Sequence, residues 1–547
     1  MKKSKKLVFN LAALAIVILI ILGLCLAPGE ADEGYSPAVF ATVLSLLPPV
    51  IAITLALITK EVYSALFVGV AAGAFLYAGG NGELALNTML FHEDAGLVSG
   101  IANTSHACIL VFVTILGTLV VLMNRSGGAA AFGRWAQKRI KGRVGAQLVT
   151  MLLGLLIFVD DGFNCMTVGS VMRPITDGHR VSRAKLAWLL DSTAAPVCII
   201  APISCWAAAV SYAVPESMEI NGFQMFIRTI PYNLYALTTL LMLLLVVLWK
   251  ADYGPMRLHE RNAEKGDLFT GGEQPYEEAE ETVGGEQAKV SNLVIPVVVL
   301  ILSCILGMAY TGGFFSGESL IDSFANADSA RGLVMGSLIT AIVTFWLYRN
   351  RGVISFKDFM GCFAAGFRSM CAPMIILILS WNLSGVTGLL GAADFIHGLM
   401  ASTADTVRMF IPAIAFVISV FLAFATGTSW GTFTILIPIV CAVFPAESEM
   451  LVISIAACLA GAVCGDHCSP ISDTTIMSSA GAKCDHINHV TTQLPYALTA
   501  AAVCVPGYIL AGVLGTGGSP AAMYLSAPVT FVLLAAVLLV IRKKGTE

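Results

Sequence analysis

The chain has 547 residues, of which 57% are hydrophobic and 12% charged, and its formal net charge is −4. A soluble domain carries about 25% charged residues, so this composition excludes an ordinary soluble globular protein. Many apolar stretches reach roughly 18–25 residues, which is the length that an α-helix needs to cross the hydrocarbon core of a bilayer. No basic patch interleaved with aromatic residues predicts contact with nucleic acid. The sequence therefore predicts an all-α polytopic protein embedded in a lipid bilayer.

The two ends of the chain predict its orientation. Lysines precede an apolar run at 7–26, and Arg542-Lys543-Lys544 follows a final apolar segment. The first run is longer than the core of a signal peptide, so we expect it to be a membrane helix. Basic residues in short loops stay on the cytoplasmic side. We therefore expect a multi-pass protein of the cell inner (plasma) membrane with both termini in the cytoplasm.

Two long apolar segments do not fit a single crossing each. Basic loops flank segment 145–172 on both sides, whereas mainly acidic loops flank segment 409–440. A single crossing of the first segment would place one basic loop outside, against the positive-inside rule. We therefore predict a re-entrant hairpin from the cytoplasm with its tip at 160–164. The second segment is interrupted at 425–431 and predicts the mirror image, a hairpin that enters from outside.

The remaining segments give twelve crossings and five parts. We predict an N-terminal membrane helix with an external loop, a first transport repeat, a mobile cytoplasmic linker, a second transport repeat and a C-terminal membrane helix. In chain order these parts comprise residues 1–36, 37–250, 251–291, 292–514 and 515–547. Each repeat has five crossings, an odd number, so the second copy is expected to be inverted. Each is also expected to contain one re-entrant hairpin and one broken helix.

Matching residues support the internal repeat. Pro174 corresponds to Pro438, and Asp191 corresponds to Asp466, at offsets between 264 and 275 residues. Inverted repeats with broken helices are the architecture of many secondary transporters, whose site lies near the bilayer midplane. An ancient duplication that has no bearing on transport remains the alternative.

Buried acids are the main functional signal. Five aspartates lie in the hairpins or in the crossings that follow them: Asp160, Asp161, Asp191, Asp466 and Asp473. The four segments that hold these aspartates or their repeat partners contain no lysine and no arginine: 144–172, 186–212, 409–440 and 451–482. A carboxylate in the membrane is costly and normally functional, so this excess of acid predicts a bound cation or proton. We interpret Asp191 and Asp466 as a pair that binds sodium at one midplane site.

Polar groups near the aspartates complete the predicted site. Hydroxyl groups and carbonyl oxygens that prolines free from the helix are hard ligands suited to an alkali ion. Besides the five aspartates, the predicted ion- or substrate-binding residues are Asn164, Ser192, Thr193, Thr428, Ser429, His467, Ser469 and Thr474. No cofactor is expected, and the Cys464/Cys468 pair lacks the second ligand pair of a zinc site.

Several of these residues have a structural interpretation as well. Asp161 and Asp473 are also explained as helix caps. His467 could orient Asp466, titrate with it, or satisfy a buried backbone group. We expect Asp485, His486 and His489 to lie in a solvated loop, with a pH-sensing role as the alternative. Trp206 is expected to be a packing residue, whereas Trp430 lies within a predicted hairpin tip.

A long motif resembles a known family. The run Cys464-Gly-Asp-His-Cys-Ser-Pro-Ile-Ser-Asp-Thr-Thr475, followed by Gln493-Leu-Pro-Tyr496, resembles the NhaC-type sodium/proton antiporter family. So do Asp160-Asp161 with Asn164, Asp191-Ser-Thr-Ala-Ala-Pro196, and Gly427-Thr-Ser-Trp-Gly-Thr432. The resemblance covers about residues 37–514. It implies an ion-transporter fold with inverted repeats, re-entrant hairpins and sodium/proton exchange, and the family also includes exchangers of organic acids.

We therefore expect a secondary active transporter that exchanges sodium for protons and is not an enzyme. The leading alternative is a sodium- or proton-coupled carrier of an amino acid or small organic acid, which would add such a solute to the expected partners Na+, H+ and lipid. An intramembrane aspartyl protease would need a Gly-x-Gly-Asp pattern that the residues before Asp466 lack. A passive channel would leave the buried acids unexplained. A homodimer is left open.

Overall fold

A computed structural model describes residues 35–270, 288–392, 405–516 and 521–546, with gaps at 60, 216, 217, 219, 320–322, 324–326 and 471, together with residues 394, 395 and 398. The predicted membrane helix at 7–26 and the linker residues 271–287 lie outside the described residues. The structure therefore tests the two predicted repeats and the two ends of the linker.

The described residues form helices and no strand. The α-helices are α1 Leu47–Thr59, α2 Val62–Tyr77, α3 Gly82–Phe91, α4 Leu97–Ala102, α5 Thr104–Arg125, α6 Gly128–Gln137, α7 Arg143–Leu156, α8 Asp161–Gly178, α9 Arg183–Ser192, α10 Ala195–Cys198, α11 Cys205–Ala213 and α12 Gly222–Thr229. They continue with α13 Leu234–Trp249, α14 Gly254–Glu264, α15 Ser291–Thr311, α16 Ser329–Asn350, α17 Phe356–Leu389, α18 Asp405–Arg408, α19 Ile411–Thr426, α20 Ser429–Cys441, α21 Glu449–Cys468, α22 Asp473–Ala482, α23 His486–Thr516 and α24 Ala521–Thr546. Short 3-10 helices occupy Val43–Leu46, Ile230–Tyr232 and Phe314–Ser316.

The helix lengths confirm an all-α polytopic membrane protein. In the described part of the chain, six helices are long and apolar enough to cross a bilayer, or eight if each of two bent helix pairs counts as one span. The six spans lie in α5, α15, α16, α21, α23 and α24. The full count of twelve crossings and the position of each end relative to the membrane stay predictions.

The contacts divide the chain into two compact units. One comprises Met1–Thr104 and Ile375–Ser402, and the other comprises Ser105–Met374 and Thr403–Glu547. In the first unit, α1 packs closely on α2, since a Cβ atom on Gly69 would lie 2.9 Å from the carbonyl oxygen of Pro48. All of the predicted site residues belong to the second unit.

Four helix breaks organise the second unit, and they fall within the predicted hairpins and broken helices. They separate α7 from α8, α9 from α11, α19 from α20, and α21 from α22. Each following helix starts behind an N-cap side chain, namely Asp160, Ser204, Thr428 and Ser472. These caps accept the backbone N–H three residues later at 2.7, 3.1, 3.3 and 3.2 Å. An N-cap of this kind stabilises a helix by about 1 kcal/mol, so the capping residues fix where each helix resumes.

The chain does not continue straight through the first break. The Asn164 side-chain nitrogen donates to the carbonyl oxygens of Gly154 and Ile157 at 2.8 and 2.9 Å. In an unbroken helix, residues ten apart would be separated by about 15 Å along the axis. The first turn of α8 therefore lies beside the end of α7. The re-entrant hairpin and its entry from the cytoplasm stay predictions.

Each half of the second unit contributes a helix that packs on the other half. Helix α8 packs on α22, and α20 packs on α11. A Cβ atom on Gly169 of α8 would lie 2.6 Å from the backbone carbon of Gly481 in α22. In the reciprocal pair, the Trp206 ring lies 5.7 Å from the Phe433 ring. A pseudo-twofold relation between the repeats would produce such reciprocal contacts, and the inverted orientation itself stays a prediction.

Helix α21 is buried along its whole span. A Cβ atom on Gly461 would lie 2.4 Å from the carbonyl oxygen of Phe416, and one on Gly465 would lie 2.2 Å from that of Val420. Small residues four positions apart let two membrane helices approach closely, and here they bring α21 against α19. Asp466 follows Gly465 directly, so this packing holds its backbone in the protein interior.

The first part of the linker is docked. Residues 254–264 form α14, in which His259 and Glu260 are buried, and Arg143 forms a 2.6 Å ion pair with Glu260. Glu260 also accepts the backbone N–H of Ser182 at 2.8 Å. The expectation of a mobile loop is therefore wrong for this stretch, because it forms an amphipathic helix with paired charges that packs within the second unit.

The glycine contact between α8 and α22 predicts a stability effect. Replacing Gly169 with Ala puts a Cβ atom 2.6 Å from backbone that cannot move aside as a side chain can. We expect Gly169→Ala to lower the free energy of unfolding by about 1–3 kcal/mol, the usual cost of overpacking. Thermal unfolding of the purified protein measures the change. Gly178→Ala in the same helix is the matched control, since no atom lies within 4 Å of its Cβ position. Equal melting temperatures for the two variants would contradict the prediction.

Candidate functional site

Two buried carboxylates lie where helices end. Asp191 is the next-to-last residue of α9, and Asp466 lies two residues before the end of α21. Their exposed fractions are 0% and 1%. The C-terminal end of a helix carries a partial negative charge, so neither carboxylate caps its helix and both are disfavoured there as anions. Each charge must therefore be compensated by other groups, by a proton or by a cation.

Adjacent threonines connect the two carboxylates. The Thr474 hydroxyl donates to Asp466 Oδ2 at 3.2 Å, and the Thr475 hydroxyl lies 3.2 Å from Asp191 Oδ2. Both threonines stand in the first turn of α22, directly after its cap Ser472. Neighbouring residues of one helix turn thus contact one carboxylate each, and the pairing of the two aspartates at one ion site stays a prediction.

Three side chains surround Asp191. Gln493 donates to Asp191 Oδ2 at 2.6 Å, and His489 Nε2 lies 3.4 Å from the same oxygen. His467 Nε2 lies 4.0 Å from Asp191 Oδ1. His489 is fully buried in α23, so the expectation of a solvated loop is wrong for this residue. The spacing of His489 and Gln493, four residues apart, places both on one helix face and is the signal that could have identified them.

Asp466 lacks comparable partners. Among the described residues, no lysine, arginine or histidine side chain forms an ion pair with it. No protein group donates a hydrogen bond to Asp466 Oδ1 or to Asp191 Oδ1, although both atoms are buried. Buried polar atoms are normally paired, and an unpaired one is costly. The two free oxygens therefore mark a place that suits a proton or a cation.

His467 and a narrow crevice adjoin the pair. His467 Nδ1 lies 3.2 Å from the Tyr235 hydroxyl. The crevice beside it is lined by residues that include Trp188, Ser192, Tyr235, His467 and Gln493. Of the predicted residues, Ser192 therefore faces this crevice, and His467 contacts both the crevice and Asp191.

The other predicted aspartates lie at helix starts. Asp160 caps α8, and Asp161, the first residue of α8, accepts a hydrogen bond from Trp206 Nε1 at 3.0 Å. Asp473 is the first residue of α22, and its side chain is exposed. The positive end of the helix dipole stabilises an acid at these positions. Local structure thus accounts for these three aspartates, and Trp206 binds one of them in addition to packing.

Three of the resumed helices start close together. The Cys205 backbone N–H donates to the Val159 carbonyl oxygen at 3.1 Å, which joins the start of α11 to the break before α8. The Trp206 and Trp430 rings lie 6.0 Å apart and join α11 to the start of α20. Converging helix N-termini carry positive partial charge, which suits an anionic group, and at the start of α8 Asp160 and Asp161 already supply one.

The remaining predicted residues hold the breaks together. Asn164 donates to the Thr193 carbonyl oxygen at 2.9 Å, and the Thr193 hydroxyl donates to the Leu189 carbonyl oxygen at 2.7 Å. The Ser429 hydroxyl donates to the Ala462 carbonyl oxygen at 3.2 Å, Thr428 is the N-cap of α20, and Ser469 is the C-cap of α21. These contacts are structural, and their assignment to cargo binding stays a prediction.

Comparison with a known family decides the class of protein. A family model described as the Na+/H+ antiporter family matches residues 207–513, more than half of the chain. The chain belongs to the Na+/H+ antiporter family. This assignment agrees with the resemblance of the motif that contains Asp466, and it identifies a membrane-embedded secondary transporter.

Two relatives of this antiporter-family chain match different shares of it. An uncharacterized protein of Haemophilus influenzae is 36% identical over 487 residues, which cover 86% of the chain and 91% of the relative. The malate-2H(+)/Na(+)-lactate antiporter of Bacillus subtilis is 29% identical over 171 residues, which cover 29% of the chain and 34% of the relative.

Two solved structures of transporters share the fold of this antiporter-family chain. MtrF of Neisseria gonorrhoeae, described with a class of antimetabolite efflux pumps, has a TM-score of 0.54 at 14% identity, covering 84% of this chain and 94% of its own. The YdaH transporter of Alcanivorax borkumensis, described as having an unusual topology, has a TM-score of 0.51 at 16% identity, covering 87% of this chain and 99% of its own. Both likenesses concern the fold alone.

Proposed function

We propose that the chain exchanges sodium for protons at the site formed by Asp191 and Asp466. The observation that carries this proposal is the pair of buried carboxylates at helix C-termini, each with one oxygen that has no hydrogen-bond partner among the described residues. Membership of the Na+/H+ antiporter family supports the same cargo. Carboxylate, hydroxyl and amide oxygens are hard ligands, so the residues present fit an alkali ion.

The two carboxylates have different surroundings and therefore different roles in the proposed exchange. Asp191 accepts a hydrogen bond from Gln493, and the Nε2 atoms of His489 and His467 lie 3.4 and 4.0 Å from its oxygens. Asp466 has the Thr474 hydroxyl and no basic partner among the described residues. We assign the exchangeable proton to Asp466: the carboxyl group is neutral when sodium is absent and ionised when sodium is bound.

This assignment couples the two fluxes. A protonated Asp466 leaves Asp191 as the only anionic ligand of the pair, so a sodium ion is held more weakly than it is once Asp466 is ionised. Proton and sodium therefore compete for the same pair of acids. The four helix breaks adjoin this pair, and transporters with broken helices expose a midplane site to each side in turn by moving one repeat against the other.

Asp466→Asn tests the exchange. The amide cannot ionise, so we expect sodium-driven proton movement in proteoliposomes to fall to the level of empty liposomes. A pH-sensitive dye inside the vesicles reports the movement after a sodium pulse. Asp94→Asn is the control, because Asp94 is exposed and belongs to the other compact unit. Normal exchange by Asp466→Asn would remove Asp466 from the mechanism.

A second candidate function is sodium- or proton-coupled transport of a small organic acid or amino acid. The starts of α8, α11 and α20 favour it, because three adjacent helix N-termini can bind a carboxylate without a basic side chain. The name of the Bacillus subtilis relative, a malate-2H(+)/Na(+)-lactate antiporter, points the same way. The same acid pair would then bind the coupling ion.

Counterflow separates the two functions. Proteoliposomes loaded with unlabelled sodium, malate, lactate or one of a panel of amino acids are diluted into the labelled species. We expect labelled sodium to accumulate, because the buried carboxylates form the proposed cation site. Labelled organic solutes should stay at background with and without sodium. Accumulation of one organic solute, stimulated by sodium, would establish the second function in place of simple exchange.

A further inference from the structure

Gln493 joins three helices at the acid pair. It belongs to α23, and its side-chain nitrogen donates to Asp191 Oδ2 in α9 at 2.6 Å and to the backbone oxygen of His467 in α21 at 2.8 Å. These two bonds use both N–H groups of the amide. The side chain is 1% exposed. The amide is therefore held in one position and one orientation.

The orientation of this amide follows from its partners. A carboxylate oxygen and a backbone carbonyl oxygen only accept hydrogen bonds, so the amide nitrogen must face both of them. The amide oxygen, Oε1, must then point the other way. No protein group donates to this buried oxygen. This oxygen therefore has no hydrogen-bond partner, and the same holds for Asp191 Oδ1.

Gln493 also lines the crevice described above. The lining includes Ser192, Tyr235 and His467 together with apolar side chains such as Trp188 and Met242. The Gln493 side chain therefore contacts Asp191 and adjoins this crevice, and its Oε1 is a buried oxygen without a hydrogen-bond partner.

We propose that Gln493 contacts the transported cation and contributes to its selection over the proton. This inference rests on the proposed function. A neutral amide oxygen binds a metal cation but does not take up a proton in the physiological range, whereas a carboxylate binds both. Oε1 thus adds affinity for sodium without adding affinity for the competing proton. The two hydrogen bonds donated by the amide nitrogen have a positioning role, because they fix Oε1 relative to Asp191.

Two substitutions separate the oxygen from the donors. Gln493→Met removes both, whereas Gln493→Glu keeps a side-chain oxygen at the same distance from the backbone and removes the amide donors. We expect Gln493→Met to raise the KM for sodium by about tenfold or more, the effect of losing one interaction with a charged group. Gln493→Glu should bind sodium at least as tightly as Gln493→Met does, with a KM near or below that of the unmodified chain.

A binding measurement accompanies the kinetics. Sodium is titrated into each purified variant and the rise in melting temperature is followed, with choline chloride at equal ionic strength as the salt control. Gln147→Met is the matched variant, since Gln147 is also a buried glutamine and donates to a backbone oxygen in α7, away from the acid pair. It should give the sodium response of the unmodified chain.

The outcomes distinguish the two levels of the proposal. Absence of any sodium response in the unmodified chain would overturn the proposed function itself. A normal response there, with equal sodium affinity in Gln493→Met and Gln147→Met, would overturn the role of Gln493 alone. Equal loss of sodium affinity in Gln493→Glu and Gln493→Met would also overturn it, because the donors and not the oxygen would then matter.

Discussion

A negative charge at the negative end of a buried helix is the constraint on which the rest of this structure depends. Asp191 and Asp466 each occupy such a position, in α9 and α21, and neither is exposed. The helix dipole, the apolar surroundings and the neighbouring acid all disfavour ionisation there. Protein groups, a proton or a cation must compensate each charge, and in the proposed exchange a proton and a sodium ion do so in turn at Asp466.

The architecture follows from the need to place these carboxylates inside. A continuous helix would leave no free end in the protein interior, so the helices are interrupted, and polar caps such as Asp160 and Ser472 begin the next segments. Close glycine contacts, as between Gly169 and Gly481, then bring parts of the two halves together. In the proposed exchange, relative movement of these segments would open the acid pair to each side in turn, as in transporters with broken helices.

The sequence predicts the class of fold well and the site only in part. The all-α membrane fold and the positions of the breaks follow from apolar lengths, loop charges and cap residues, which are local properties. The pairing of Asp191 with Asp466 follows from the internal repeat. His489 and Gln493 are different, because their role depends on how α23 packs on α9 and α21, and a motif does not encode that contact. Asp473 is the first residue of α22, and its assignment to ion or substrate binding stays a prediction.

Proton release on sodium binding is the most direct consequence of the proposed exchange. If sodium displaces a proton from the pair, then adding sodium to the purified protein in weakly buffered detergent solution releases protons that an indicator dye can count. We expect release from the unmodified chain and none from the double variant Asp191→Asn/Asp466→Asn, with choline chloride as the control salt. Sodium binding by the unmodified chain without proton release would contradict the account.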